Sequence, residues 1–213
     1  MKKIVYLIRH SKAIKLNNEF NSESLQIQNE KITLSIEGEK LAKEKLVNNE
    51  LSNLDLIVAS NYCRAIGTAK YLTINNDKEI VILPNFGERK FGVNSYDELP
   101  KDFHKKQYLD NDYKIPNGES INEVRNRMYN ELLNLLNKNY NRIAIVSHSK
   151  AMECLLRNWC DITIKELDKK TEDKTIDINI KFKDKIIKIN NIENCMIFKL
   201  EFNNNELIDI EII

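Results

Sequence analysis

Residues 143–159 read IAIVSHSKAMECLLRNW, and this stretch decides the fold class because its periodicity changes at a single point. Ile143 to Val146 is a short β-branched apolar run, which is typical of a buried strand. Lys150 to Trp159 then continues with apolar residues at helical spacing. The stretch therefore predicts a strand that passes directly into a helix, with Ser147 and His148 at the carboxyl end of the strand.

The same alternation of strand and helix recurs along the chain and extends the prediction to a whole sheet. Strands that alternate with helices pair in parallel through right-handed crossovers, so helices cover both faces. The tail differs, because Cys195 to Phe202 and Leu207 to Ile212 flank three asparagines and predict a closing antiparallel hairpin. We therefore expect an α/β fold, a three-layer α/β/α sandwich with a largely parallel, mixed central sheet. The other predicted strands are Ile4 to Ile8, Leu54 to Ala59 and Ile80 to Leu83; the other predicted helices are Ile36 to Leu46, Arg64 to Leu72 and one that begins at Ser120 with a capping box to Glu123.

Length and charge restrict the class of protein. A chain of 213 residues suits a single domain, here 1–213. The 33 basic and 32 acidic residues give a net charge of +1, so neither nucleic acid nor an anionic membrane is an expected partner. The four cysteines are dispersed without ligand spacing, which argues against zinc or a disulfide framework. With no signal peptide or bilayer-spanning run, we expect a cytoplasmic protein.

Two stretches interrupt the alternation. Residues 91–118 lack strong periodicity and are expected to form an insertion over one end of the sheet, the end where a ligand site of such a sheet would lie. Residues 175–189 resemble a further hairpin. Glu119 lies just before the helix cap at Ser120 and is expected to fix the rim of the site.

The candidate site follows from the strand ends. In a parallel α/β sheet, ligands bind at the carboxyl ends of the strands. The first strand ends in Arg9-His10-Ser11, Arg64 follows the second strand, and His148 ends the fourth. Two of the three histidines and two arginines thus converge on one edge of one sheet.

These residue types suit the cleavage of a phosphomonoester. A phosphomonoester carries about two negative charges near neutral pH, and Arg9 and Arg64 supply permanent charge in fork geometry. A neutral imidazole on His10 is a competent nucleophile for phosphorus, and an imidazolium on His148 would neutralise charge on the equatorial oxygens. Glu88, after the third strand, is the candidate to protonate the departing alkoxide. This chemistry requires no metal and no cofactor.

Five segments in register also carry a resemblance to the histidine phosphatase (phosphoglycerate mutase-like) superfamily, in its phosphatase branch. LIRHSKA is similar to the family's R-H-G signature, and SNYCRAIGTA to its S-x-x-x-R-A-x-x-T-A segment. ERKFG resembles E-x-x-F-G, PNGES resembles P-x-G-E-S, and VSHSKAMECLL matches the second-histidine segment. The segments begin at residues 7, 60, 88, 116 and 146.

The resemblance implies roles that agree with those argued from the residues. It makes His10 the phosphorylated nucleophile, Glu88 the proton donor, and Arg9, Arg64 and His148 the phosphate pocket. It also implies a hydrolase that acts on a small phosphorylated substrate.

Some positions depart from the family pattern. Ser11 and Ser149 stand where the family usually has glycine, and each gains a hydroxyl at the cost of backbone freedom. We expect the Ser11 hydroxyl to donate to the phosphate and include Ser11 in the binding set. Asn17 matches a family asparagine only approximately and is left out of the site.

Two alternatives to a phosphatase stay open. A cofactor-dependent phosphoglycerate mutase shares the first half-reaction, but the paired arginines of the mutases' substrate clamp are absent from residues 91–118. A non-catalytic phosphate-binding module would need neither a nucleophile nor a proton donor. No GxGxxG or Walker A loop follows any strand, which excludes a nucleotide-binding oxidoreductase. The sequence sets neither the substrate nor the oligomeric state.

Overall fold

A computed structural model describes residues 2–16, 23–166 and 176–213, with the backbone alone for Lys165, Glu166 and Ile176. Asn17 and most of the charged run at 165–174 lie outside the described residues. The strands are β1 Lys2–Arg9, β2 Leu56–Ala59, β3 Ile80–Ile82, β4 Arg142–Ser147, β5 Asp161–Glu166, β6 Ile176–Phe182, β7 Lys185–Ile189, β8 Ile197–Asn203 and β9 Glu206–Ile212. The helices are α1 Leu25–Lys31, α2 Ile36–Leu46, α3 Cys63–Ala69, α4 Phe103–Leu109, α5 Ile121–Leu136 and α6 Ser149–Leu156.

A six-stranded central sheet has the order β3-β2-β4-β1-β8-β9. Strands β1, β2, β3 and β4 are parallel, and the carboxyl-terminal hairpin β8–β9 adds to β1 in antiparallel orientation. Arg9 pairs with Ser147, and Ala59 pairs with Val146. The register therefore brings the carboxyl ends of β1, β2 and β4 to the same edge, and the predicted mixed sheet is confirmed.

Both faces of this sheet are covered. Val5 and Leu7 of β1 pack in a core with α5 and α6, whereas Tyr6 and Ile8 of the same strand pack on the other side with α2 and α3. All four side chains are fully buried, and each contributes about 1.5–3 kcal/mol if it resembles an average core residue. The alternation of β1 thus holds helices on both faces, which confirms the three-layer sandwich. No helix among the described residues is long and apolar enough to cross a bilayer.

Several element boundaries differ from the prediction. The predicted helix from Arg64 to Leu72 stops at Ala69, and residues Leu72–Asn75 form a separate 3-10 turn. Strand β3 is not buried as predicted, because it lies at the sheet edge and leaves Val81 and Ile82 about 40% exposed. The helix after His148 ends at Leu156, three residues early. The sequence prediction missed α1 and α4 entirely.

A second, three-stranded sheet was predicted only in part. The expected hairpin at 175–189 forms as β6 and β7, but β5 also joins it, in the antiparallel order β5-β6-β7. Strand β5 reads DITIKE and alternates polar and apolar residues over its first four positions only, and the sequence prediction did not assign it. Ile178, Ile180 and Phe182 of β6 bury one face of this sheet in the same core as α5 and α6.

Two glycines close the base of the segment 91–118. Gly92 has φ +81°, and a Cβ added there would overlap the backbone of Gly118. The backbone N–H of Glu119 donates to Lys90 O over 2.9 Å, and Lys90 N–H donates to Glu119 Oε2 over 2.9 Å. Segment 91–118 therefore begins and ends at one narrow neck, which is formed by Lys90, Gly92, Gly118 and Glu119. Helix α4 lies within the segment.

Candidate functional site

The guanidinium of Arg64 joins the two histidines at the carboxyl edge of the central sheet. Arg64 Nε lies 3.1 Å from His10 Nε2, and Arg64 Nη2 lies 3.2 Å from His148 Nδ1. The two imidazole rings are 5.0 Å apart between centroids. All three side chains are buried, with relative exposure of 8% or less. The structure thus brings together three residues that the sequence analysis took from three different strand ends.

The hydrogen bonds fix the tautomer of each imidazole, since arginine can only donate. His10 Nε2 accepts from Arg64, so the ring proton lies on Nδ1, which donates to Ser11 O over 2.7 Å. His148 Nδ1 accepts from Arg64, so its proton lies on Nε2, which is 2.8 Å from Ser60 Oγ. His10 therefore presents the lone pair of Nε2 to the site.

Burial and neighbouring positive charge keep both rings neutral. Desolvation and the Arg64 guanidinium lower the pKa of His10 to about 3. Burial, then His10, Arg64, Arg127 and Arg9, lower the pKa of His148 well below its usual value. The expected imidazolium on His148 is therefore disfavoured in the structure as it stands, and a cationic His148 beside bound phosphate stays a prediction.

Glu88 lies at the amino terminus of α6. Glu88 Oε1 accepts from the backbone N–H groups of Arg89 (2.8 Å) and Ala151 (3.0 Å), and Oε2 accepts from Lys150 N (3.3 Å). The Glu88 carboxylate opposes the burial that lowers the pKa values of Arg9 and Arg64, which puts it near both guanidinium groups. Glu88 therefore belongs to the same cluster as the histidines.

An ion pair between Arg127 and Glu119 holds the backbone of residues 85–88 in place. Arg127 on α5 forms a bidentate pair with Glu119, with Nε–Oε1 of 2.7 Å and Nη2–Oε2 of 3.0 Å. The same guanidinium donates to the carbonyl oxygens of Asn85, Gly87 and Glu88. Glu119 is thus linked through Arg127 to the backbone of the Glu88 segment, and its role at the rim of the site stays a prediction.

Arg9 and Ser11 make contacts that the sequence analysis did not foresee. Arg9 Nη1 donates to Ile192 O, while Arg9 Nε is buried without a partner among the described residues. Arg9 keeps spare donors near Glu88. The Ser11 hydroxyl donates to Gly38 O over 2.7 Å, and its backbone N–H donates to Thr68 Oγ1 over 2.8 Å. The hydroxyl group uses its only proton to join the end of β1 to α2. The Ser11 hydroxyl therefore does not donate to phosphate in this arrangement, contrary to the expectation.

Other residues of the site were missed. Tyr62 packs its ring 4.4 Å from that of His148 and lies under the Arg64 guanidinium. Asn194 Nδ2 donates to His10 O over 2.8 Å, and Asn29 O accepts from Arg64. Ser60 had a usable signal, since it begins the SNYCRAIGTA segment. Asn194 and Asn29 had none, because they reach the site through contacts between distant parts of the chain.

The cluster therefore places two buried imidazoles and arginine donors at the carboxyl edge of a mixed sheet, an arrangement of donors that suits a phosphate group. The family model described as histidine phosphatase superfamily (branch 1) matches residues 5–202, and the chain belongs to that family.

Proteins with a similar sequence or a similar fold are also named as phosphatases. Over 127 residues the chain is 32% identical to the uncharacterised phosphatase PhoE of Bacillus subtilis (strain 168), a match that spans 59% of this chain and 63% of PhoE. The fold is similar to that of mycobacterial glucosyl-3-phosphoglycerate phosphatase, with a TM-score of 0.65, 15% identity and coverage of 100% and 97% of the two chains. It is also similar to phosphoserine phosphatase of Entamoeba histolytica, solved with phosphoserine, with a TM-score of 0.53, 21% identity and coverage of 87% and 94%.

Proposed function

We propose that the protein is a phosphomonoesterase that works without a metal, through a phosphohistidine on His10. The observation that carries this proposal is the neutral, Nδ1-protonated ring of His10, whose Nε2 lone pair faces a permanent cation. A neutral imidazole nitrogen is nucleophilic, and an arginine beside it holds the phosphoryl group that it attacks.

Phosphate binding uses the guanidinium donors of Arg64 that contact the two histidines in the structure. A phosphate dianion draws Arg64 Nε and Nη2 away from His10 and His148, because charge-assisted contacts to phosphate are stronger than contacts to a neutral imidazole. Arg9 adds its spare donors. His148 Nδ1 loses its donor and gains an anion beside it, so the dianion favours proton uptake at that nitrogen. The cationic form of His148 is thus made by the substrate.

The chemical step starts with Glu88 in its protonated form, which takes its proton from solvent before the attack. His10 Nε2 attacks phosphorus, a P–N bond forms, the P–O bond to the leaving group breaks, and the departing oxygen takes a proton from the Glu88 carboxyl. The Glu88 carboxylate next accepts a proton from water as that water attacks phosphorus. The P–N bond breaks, His10 becomes neutral again, and phosphate leaves.

The leaving group lies against the neck of segment 91–118, which we propose covers the site. A cavity of about 250 Å³ between α1 and this neck is lined by Gln26, Asn29 and Asn94, with Lys90 as its one cation. Asn29 contacts Arg64 and Gln26 donates to Tyr62 Oη, so the cavity adjoins the phosphate pocket. Amide groups around a single lysine suit a small polar leaving group with at most one negative charge.

Two other functions remain to be separated from hydrolysis. A mutase returns the phosphoryl group to a sugar acid, whereas a binding module forms no product. The cavity beside the neck offers one lysine instead of an arginine pair, which favours hydrolysis over a mutase. The position of Glu88 beside both arginines favours catalysis over binding alone.

The test is a panel of phosphorylated metabolites and an aryl phosphate, assayed with excess chelator for wild type and His10→Ala. We expect inorganic phosphate from wild type, inhibition by vanadate and no release from His10→Ala. Isomerised phosphoglycerate without phosphate release would identify a mutase. Activity that returns only with a divalent ion would contradict the metal-free mechanism.

A further inference from the structure

A second cavity lies on the outer face of the three-stranded sheet. It has a volume of about 800 Å³, within the range of small-molecule sites, and its lining residues come from β5, β6, β7, α5 and the end of α6. Its charged lining residues are Arg125, Arg157, Lys181, Lys188 and Asp161. Four cations against one acid form a local excess of positive charge in a chain whose net charge is +1.

Three of these cations have no partner among the described residues. The side chains of Lys181 and Lys188 are exposed and form no hydrogen bond or ion pair there, although Asp161 is the cross-strand neighbour of Lys181. The half-buried side chain of Arg125 also forms none, and its Nε is buried. Other arginines with a buried free Nε, such as Arg9 and Arg142, use another nitrogen to bind a carbonyl oxygen. Buried guanidinium donors are costly unless something accepts from them.

The fold holds these cations together. Lys181 pairs with Ile186, and Asn179 pairs with Lys188. Both lysines therefore lie on one face of the sheet as diagonal neighbours, with Cα atoms about 7–8 Å apart. Inward-facing Ile180 is buried in the core and fixes this register. Across the cavity, Arg157 is anchored by Glu153 through Nε and Nη2.

The cavity is separate from the catalytic centre but connected to it. Arg157 follows the end of α6, whose first turn donates to Glu88. The segment 91–118 also reaches this sheet, because Ile164 N donates to Tyr108 Oη over 2.8 Å. Helix α6 therefore links the two regions, and Tyr108 of α4 contacts the three-stranded sheet.

We propose that this cavity is a second anion-binding site, for a small molecule that carries several adjacent negative charges, as an oligophosphate does. Spaced lysines and an unpartnered guanidinium match charges distributed along a short chain. None of the lining residues is aromatic, so the site offers no stacking surface for nucleic acid bases. The site binds the charged chain and not a base.

Calorimetric titration with inorganic tripolyphosphate tests the proposal. The titration uses the Arg64→Ala background, which removes the main donor of the catalytic pocket. We expect binding to persist in this background and to weaken at least tenfold when Lys181→Ala and Lys188→Ala are added. Arg125→Gln is an independent variant and should weaken binding as well.

The control removes the same charge elsewhere. Lys2 and Lys185 are lysines of surface ion pairs outside the cavity, and Lys2→Ala with Lys185→Ala should leave affinity within twofold. Equal weakening in this control, or no binding to Arg64→Ala at millimolar tripolyphosphate, would overturn the proposal. A nucleoside triphosphate should bind no more tightly than tripolyphosphate. Tight binding of an oligonucleotide without binding of tripolyphosphate would also overturn it.

Discussion

Burial and Arg64 together set the protonation state of the two histidines. Burial is the main cause that lowers both pKa values, and the Arg64 guanidinium adds to it and fixes both tautomers by donating to one nitrogen of each ring. The sequence identified Arg64, His10, His148 and Glu88 because each follows a predicted strand. It could not show that His148 is neutral, because burial and the direction of a neighbouring arginine depend on the packed structure.

Glu88→Gln tests proton donation. Without an acid, an alkyl phosphate must release an unprotonated alkoxide, so we expect its turnover to fall by roughly a hundredfold or more. A nitrophenyl phosphate leaves as a stable anion and should lose much less. The measurement is kcat for both substrates with wild type and the variant.

The contrast between the two substrates is the informative quantity. Glutamine keeps the oxygen that accepts from Arg89 and Ala151 and loses only the longer contact to Lys150 N–H, so the start of α6 should survive. Equal losses on alkyl and aryl phosphates would mean that Glu88 positions the substrate and donates no proton.

At the scale of elements, caps and close contacts position the site. Helix α2 was predicted with its observed bounds, because Ser35 caps it and its apolar spacing is regular. Helices α1 and α4 were missed, since each has only seven residues and gains its order from contacts with distant segments. Likewise, the sequence of β3 does not distinguish an edge strand from a central one.

Gly38→Ala tests how α2 is joined to the site. An added Cβ would overlap the Lys12 carbonyl oxygen, and Gly38 O also accepts from Ser11, next to His10. We expect a loss of roughly 2–4 kcal/mol in the free energy of unfolding and reduced phosphatase activity. Denaturant unfolding of wild type and variant measures the first quantity.

Gly67→Ala is the matched control on the neighbouring helix α3. There the added Cβ meets only the Leu34 side chain, at 3.3 Å, and alanine favours a helix by about 0.5–1 kcal/mol. The control should therefore change stability by less than about 1 kcal/mol. Similar losses for both variants would show that the Lys12 contact has no special role.

For the whole molecule, the buried neutral histidines predict a pH dependence of stability. The pKa values of His10 and His148 in the folded protein lie below that of an unfolded histidine, near 6.5. Below pH 6.5 the unfolded chain therefore binds protons that the folded chain does not. The contribution of the two neutral histidines to the free energy of unfolding is therefore fully present above pH 6.5. It is lost as the pH falls towards the folded pKa values.

Between pH 6.5 and 5 we expect the free energy of unfolding to fall by on the order of 1 kcal/mol per pH unit for each histidine. Chemical denaturation at several pH values measures this slope, and His148→Gln should reduce it by about half. A constant free energy of unfolding over this range would show that the rings take up protons in the folded state.

A covalent phosphohistidine on His10 is the step that separates the proposed mechanism from direct attack of water on a bound ester. Rapid quench without acid, after mixing with a labelled phosphomonoester, should trap up to one phosphoryl group per chain on the peptide that contains Arg9, His10 and Ser11. The label should be stable to alkali and labile to acid, as phosphoramidates are, and absent from His10→Ala. His148→Ala should slow formation and loss of the label without moving it. Label on His148, or normal turnover by His10→Ala, would contradict the account.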